Sequence, residues 1–227
     1  MDRRERIGDN LEAYRVMMDG RQASIWTALP AFLVSFDREK WTCVAQPTIQ
    51  GYQLLPDGTQ KWITIPNCLD VPIIFPKGGG FIFAHDVKEN DEGLLVFSSR
   101  CIDSWWQSGG IQTQSELRMH DLSDGFFIPG VFSQPNVPTG QIEEGKASMR
   151  TLDNATFIEM DLENNINMKA DGKITLTTPE LHVTGKITTE DEVVADGEVT
   201  GNDIKLSEHI HGGVDSGSDD TEGPSNP

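Results

Sequence analysis

Two histidines one residue apart, His209 and His211, lie in the run Leu206-Ser207-Glu208-His209-Ile210-His211-Gly212-Gly213-Val214. In an extended chain, residues two apart face the same side, so both imidazoles point one way and Ile210 the other. Imidazole suits iron, nickel, copper and zinc. The pair follows the last apolar alternation and precedes a Gly-rich terminus, which favours a metal site there. Two imidazoles from one chain make a poor site, so more ligands are needed. The other histidines, His85, His120 and His182, have no Cys or second His at ligand spacing and are read as hydrogen-bonded structural residues. His120 and Asp121 do not make a catalytic pair, because neighbours in a strand face opposite ways and no GxSxG serine accompanies them. Cys43, Cys68 and Cys101 are too few and too scattered for a disulfide scaffold and have no CxxC spacing, so reduced thiols are expected. The acidic stretch from Asp215 to Glu222 is interleaved with Ser and Gly and reads as a solvated end rather than a calcium loop.

Three kinds of segment precede the histidine pair. Over residues 1–27, Ile7, Leu11, Tyr14, Met17 and Met18 recur at offsets of three and four, which predicts one apolar helical face. Over 28–135, short β-branched and aromatic runs are separated by Pro and Gly: Phe32 to Phe36, Trp41 to Ala45, Trp62 to Pro66, Val71 to Phe75, Phe81 to Ala84 and Leu94 to Ser98. With all five tryptophans in the first half of the chain, these predict an antiparallel barrel or sandwich whose edges are closed or covered.

The chemistry changes after Gln134. The segment 136–206 has a single aromatic residue, Phe157, and an internal repeat: Ala170-Asp171-Gly172-Lys173-Ile174-Thr175, Val183-Thr184-Gly185-Lys186-Ile187-Thr188 and Ala195-Asp196-Gly197-Glu198-Val199-Thr200. Asp-Gly predicts turns in which Gly takes positive φ, and Ile or Val with Thr predicts strands. Apolar and polar residues alternate through Ile166, Met168 and Ala170, through Ile174 and Leu176, and through Leu181 and Val183. One narrow face must therefore be buried, yet isolated hairpins are marginal in water. Three chains wound about one axis would pair their edges and pool three thin stripes into a core, so a homotrimeric β-helix is expected. Residues 207–227 would form its tip, where three chains bring six imidazoles together. That number fits octahedral coordination and disfavours four-coordinate structural zinc.

Charge narrows the partners. The net charge of −18 opposes binding through phosphate neutralisation, so no nucleic-acid partner is expected. The first twenty residues carry early positive charge without an apolar stretch behind it, and no run approaches the roughly 18 apolar residues of a membrane span. Assembly in the cytoplasm is the resulting expectation.

The barrel segment resembles the central spike proteins of contractile-tailed phages, the phage Mu-like baseplate spike family. The features that carry the resemblance are Val71-Pro72-Ile73-Ile74-Phe75-Pro76 with Gly78-Gly79-Gly80, then Asp91-Glu92-Gly93-Leu94-Leu95-Val96-Phe97. Arg100-Cys101-Ile102-Asp103 with Trp105 and Trp106 follow, then Arg118, His120-Asp121-Leu122-Ser123-Asp124-Gly125-Phe126 and Pro129-Gly130. The resemblance implies an all-β chain: an N-terminal OB-fold barrel, an intertwined trimeric β-helix and a metal-bound tip. It also implies one iron ion per trimer held by His209 and His211 of each chain, a tail hub or baseplate protein bound through the OB-fold domain, and a place at the baseplate tip of the virion. The implied task is to pierce the bacterial outer membrane during tail contraction, with no enzymatic activity. Two other readings compete. OB barrels also bind oligosaccharides, and Trp105 and Trp106 suit a glycan-binding module of a tail or surface structure. A redox iron enzyme would need open coordination positions, which six imidazoles do not leave.

Overall fold

Turn-forming Asn, Asp, Gly and Pro residues punctuate the first half of the chain at short intervals, and many of the intervals become short strands in the computed structural model, which describes residues 10–138 and 142–208. Helix α1 (Asn10–Gln22) precedes them. A five-stranded antiparallel sheet then forms from β1 (Ala28–Asp37), β2 (Thr42–Pro47), β5 (Cys68–Pro72), β8 (Glu92–Phe97) and β9 (Gly125–Pro129), in the order β5-β2-β1-β8-β9. Two small hairpins project from it: β3 (Gly51–Leu54) with β4 (Gln60–Ile63), and β6 (Lys77–Gly78) with β7 (Phe81–Ile82). The register of β1 against β2 slips between Leu33 and Ser35, which bends the strand. Curling brings the two edges of the sheet together. Ile73 and Phe127 form a parallel bridge, and the Ile74 N–H donates to the Phe127 carbonyl at 2.8 Å. Neither outer strand is left as a bare edge along that seam.

Alternation fills the interior. Ala31 and Leu33 from β1, Cys43 and Ala45 from β2, Val71 from β5, Leu95 and Phe97 from β8 and Phe127 from β9 make one buried cluster, sealed by Val87. The three cysteines are buried free thiols, as expected from their spacing. Burial pushes the Cys43 thiol up to about 12, so at neutral pH it is a small apolar core residue and not a nucleophile. Gly93 is required by space rather than by backbone angle. A Cβ there would lie 2.4 Å from the Phe127 ring and 2.5 Å from the Ile128 carbonyl oxygen.

Glu92 opens β8 and ties down the chain that leaves the barrel. Its carboxylate accepts from the Ser133 N–H (2.6 Å), the Ser133 hydroxyl (2.8 Å) and the Asn136 side-chain amide (2.8 Å), beside a 3-10 turn at Gln134–Asn136. The donated Ser133 N–H, then the two side-chain bonds, hold the Glu92 carboxyl below its usual range. A depressed folded value means that the clamp contributes above the ordinary Glu range, about 4.3, and is lost as pH falls through that lower value. Hydrogen exchange at Ser133 is expected to lose protection on acidification in that window in the native chain. In Glu92→Ala the protection should be absent at every pH.

Beyond the barrel, β10 (Lys146–Arg150), β11 (Thr156–Asp161) and β12 (Ile166–Ala170) form a three-stranded antiparallel meander. Its two turns place Asn154 and Asn164 at φ of 58° and 69°, and Asp161 accepts from the backbone N–H groups of Glu163 and Asn165. The register sets Met149, Ile158 and Met168 in one row and Ala147, Met160 and Ile166 in the next, all on one face. That face is apolar, and none of its residues is buried.

A second compact unit begins at Gly172. Among its described residues the only ladder is the pair β13 (Thr200–Gly201) and β14 (Ile204–Lys205), while 172–199 form no strand. The repeat does not act as expected within one chain. Gly172, Gly185 and Gly197 are not at positive φ, and a Cβ on any of them would meet nothing within 4 Å. The left-handed positions here are instead Asn202 and Asp203, in the β13–β14 turn. Overall the fold is all-β with few helices.

Candidate functional site

The segment between β8 and β9 contains a short helix, α2 (Asp103–Ser108), on which Trp105 and Trp106 are half-exposed. What fixes this segment is a fully buried carboxylate. Asp124 accepts from the Ile102 N–H (2.9 Å), from Arg118 Nε (2.7 Å) and from a terminal guanidinium nitrogen (3.0 Å). Arg118 also donates to Asp103 (2.8 Å) and Glu116 (2.9 Å). The Arg118 hydrogen bond holds the Asp103 carboxyl below its usual range, and the carboxylates, Asp124 foremost, push the guanidinium upward. Cys101, Asp103 and Asp124 are the one group among the described residues whose donor atoms cluster as metal ligands would. Arg118 already donates to both carboxylates, so the group is accounted for as a structural ion-pair network.

Beside α2 lies an open cleft of about 540 Å³, with residues contributed by the β1–β2 turn (Lys40), β2 (Thr42), β5 (Asp70) and α2 (Trp106, Gln107). Asp70 has φ of 51°, an uncommon conformation for a residue with a Cβ. Trp106 is 42 % exposed and packs obliquely against Trp105, with ring centroids 6.4 Å apart; Trp105 in turn meets Phe126 at 5.9 Å. Sequence reasoning singled out the two tryptophans but not Thr42, Asp70 or Gln107. The three come from separate segments, and no linear spacing links them.

His209 and His211 lie outside the described residues. The other histidines do not cluster. His85 stands edge-on to Phe75 at 5.3 Å, His182 is exposed, and the His120 carbonyl accepts from the Trp26 N–H at 3.1 Å. His120 has φ of 51°, and its Nδ1 is buried without a hydrogen-bond partner.

Comparison with known families agrees with this geometry. Residues 29–130, from the first strand of the closed sheet to just past its last, match the phage protein Gp138 N-terminal domain. Residues 203–225 match the GpV Apex motif, a span that includes His209 and His211. None of the curated proteins matches the chain. The two matches, towards opposite ends of an all-β chain, support a place among phage tail components. Within that class, the pair of matches indicates a central spike protein.

Proposed function

We propose that this chain forms a homotrimeric, membrane-piercing needle at the tip of a contractile tail. The observation that carries the proposal is the state of residues 142–208: apolar side chains alternate along them, yet none is buried, and 172–199 form no ladder with one another. Such a stretch gains a core and paired backbone only from other chains. Three copies about one axis would turn the row Met149, Ile158 and Met168 inward together with the apolar residues further along. The repeat glycines, unneeded within one chain, would then serve close approach between chains.

The barrel suits the base of such a needle. Strand order β5-β2-β1-β8-β9 with a parallel seam from the end of β5 to β9 supports the OB-fold reading. This domain would seat on a tail hub or baseplate protein. The Glu92 clamp would carry load from the barrel into the linker. At the other end, His209 and His211 of three chains would offer six neutral imidazoles, a donor set that fits one octahedral iron ion and leaves no open position for redox chemistry. A metal there would fasten the three chain ends where apolar side chains give out, and its binding energy would be folding energy for the tip. The role is mechanical rather than enzymatic, with the bacterial outer membrane as target.

Light scattering and elemental analysis of one purified sample test this reading. The native chain is expected to be a trimer with about one iron per three chains, and His209→Ala/His211→Ala a trimer without metal. A metal-free monomer would overturn the needle. A trimer whose metal survives the double substitution would move the metal site elsewhere.

A further inference from the structure

The cleft beside α2 has the chemistry of a saccharide site, and we infer that the barrel binds a neutral oligosaccharide there. The inference stands on the barrel alone and does not need the trimeric needle. Thr42 lines the cleft with little of its surface exposed, and its hydroxyl is not a buried orphan: it has no bond among the described residues but stays open to solvent. The exposed Asp70 carboxylate, Gln107 amide and Trp106 indole N–H likewise have no hydrogen-bond partner among the described residues, and the Lys40 ammonium has only a 3.9 Å pairing with Asp37. Unused donors and acceptors of both kinds, gathered around one half-exposed indole, oppose an apolar ligand, because binding one would strand them out of water. Phosphate is opposed as well, since the lining sets one lysine against two carboxylates, Asp70 and Asp103.

A pyranose meets both demands. Its ring has a flat face of C–H groups that can lie on the indole of Trp106, and its rim of hydroxyls both donates and accepts. The size of the cleft is in the range of small-ligand sites. Asp70 adds a second mark. It lies where β5 slips register against β2, and its left-handed backbone, which aspartate tolerates better than most residues, would be relaxed by glycine.

The full chain, confirmed as folded and in its native oligomeric state, would be applied to an array of bacterial O-antigen, capsular and peptidoglycan-derived glycans, with titration calorimetry on the strongest ligand. Retention of at least one glycan is expected, with Trp106→Ala and Asp70→Asn each weakening it at least about tenfold. Trp62→Ala, on the β3–β4 hairpin away from this cleft's lining, should bind as the native chain does. Asp70→Gly is expected to raise the melting temperature while losing binding, a combination that a purely structural aspartate would not produce. No retained glycan, or one held equally by Trp106→Ala and Asp70→Asn, overturns the inference.

Discussion

Alanine in place of Gly93 is expected to destabilise the barrel by about 3 kcal/mol, the upper end of the usual cost of overpacking. The added carbon would sit 2.4 Å from the Phe127 ring and 2.5 Å from the Ile128 carbonyl oxygen, and only the ring can swing aside. Phe127 cannot swing freely, because it is fully buried among Leu33, Leu95 and Val87 and its own carbonyl closes the sheet through Ile74. The two strands must part instead, at the register where Gly93 faces Pro129. Urea unfolding followed by tryptophan fluorescence reads the loss. An unchanged midpoint would mean that β8 and β9 are not packed this closely. Gly93→Ala with Phe127→Leu should recover part of the stability, because the smaller side chain vacates the space.

Arg118→Met is expected to cost roughly 3–5 kcal/mol, the penalty for stranding a buried charge. Asp124 is inaccessible to water and would keep the Ile102 N–H as its one remaining donor among the described groups. Asp103 and Glu116, both partly or largely exposed, would be rehydrated at little cost. Arg118→Met/Asp124→Asn should therefore be more stable than the single substitution, since an amide oxygen can still accept from Ile102 without carrying charge. Thermal unfolding of the two variants checks this. Equal losses would show that Arg118 acts by packing and not by charge.

The barrel was legible where strands alternate cleanly. Leu94 to Ser98 falls on β8 (Glu92–Phe97), and Trp41 to Ala45 overlaps β2 (Thr42–Pro47). The closing strand β9 was not among the expected strands, because Gly-Phe-Phe-Ile-Pro is a short unbroken apolar run with no period to read. Val71 to Phe75 was expected as one strand, but pairing with β2 ends at Pro72, whose ring has no N–H to give, and the next residues turn to meet Phe127. Beyond the barrel, the turn chemistry that shapes the meander is carried by Asn154 and Asn164, outside the Gly repeat that caught attention. The Arg118–Asp124 pair appeared only as part of a family-like motif; its burial depends on folding that a linear reading does not contain. The histidine pair that spacing singled out lies outside the described residues, within the span of the apex match.

Residues 10–138 have a finished interior and the described residues 142–208 have none, so the two should obey different laws when heated. The barrel's buried cluster belongs wholly to its own chain, and its melting temperature should not depend on dilution. Residues 142–208 have no buried residue to lose, and any order they gain from companions follows mass action. A freshly made chain would thus combine a folded sheet domain with a stretch of exposed apolar side chains. In the proposed trimer, the local concentration of sister chains during synthesis would then decide whether that stretch finds its companions or aggregates.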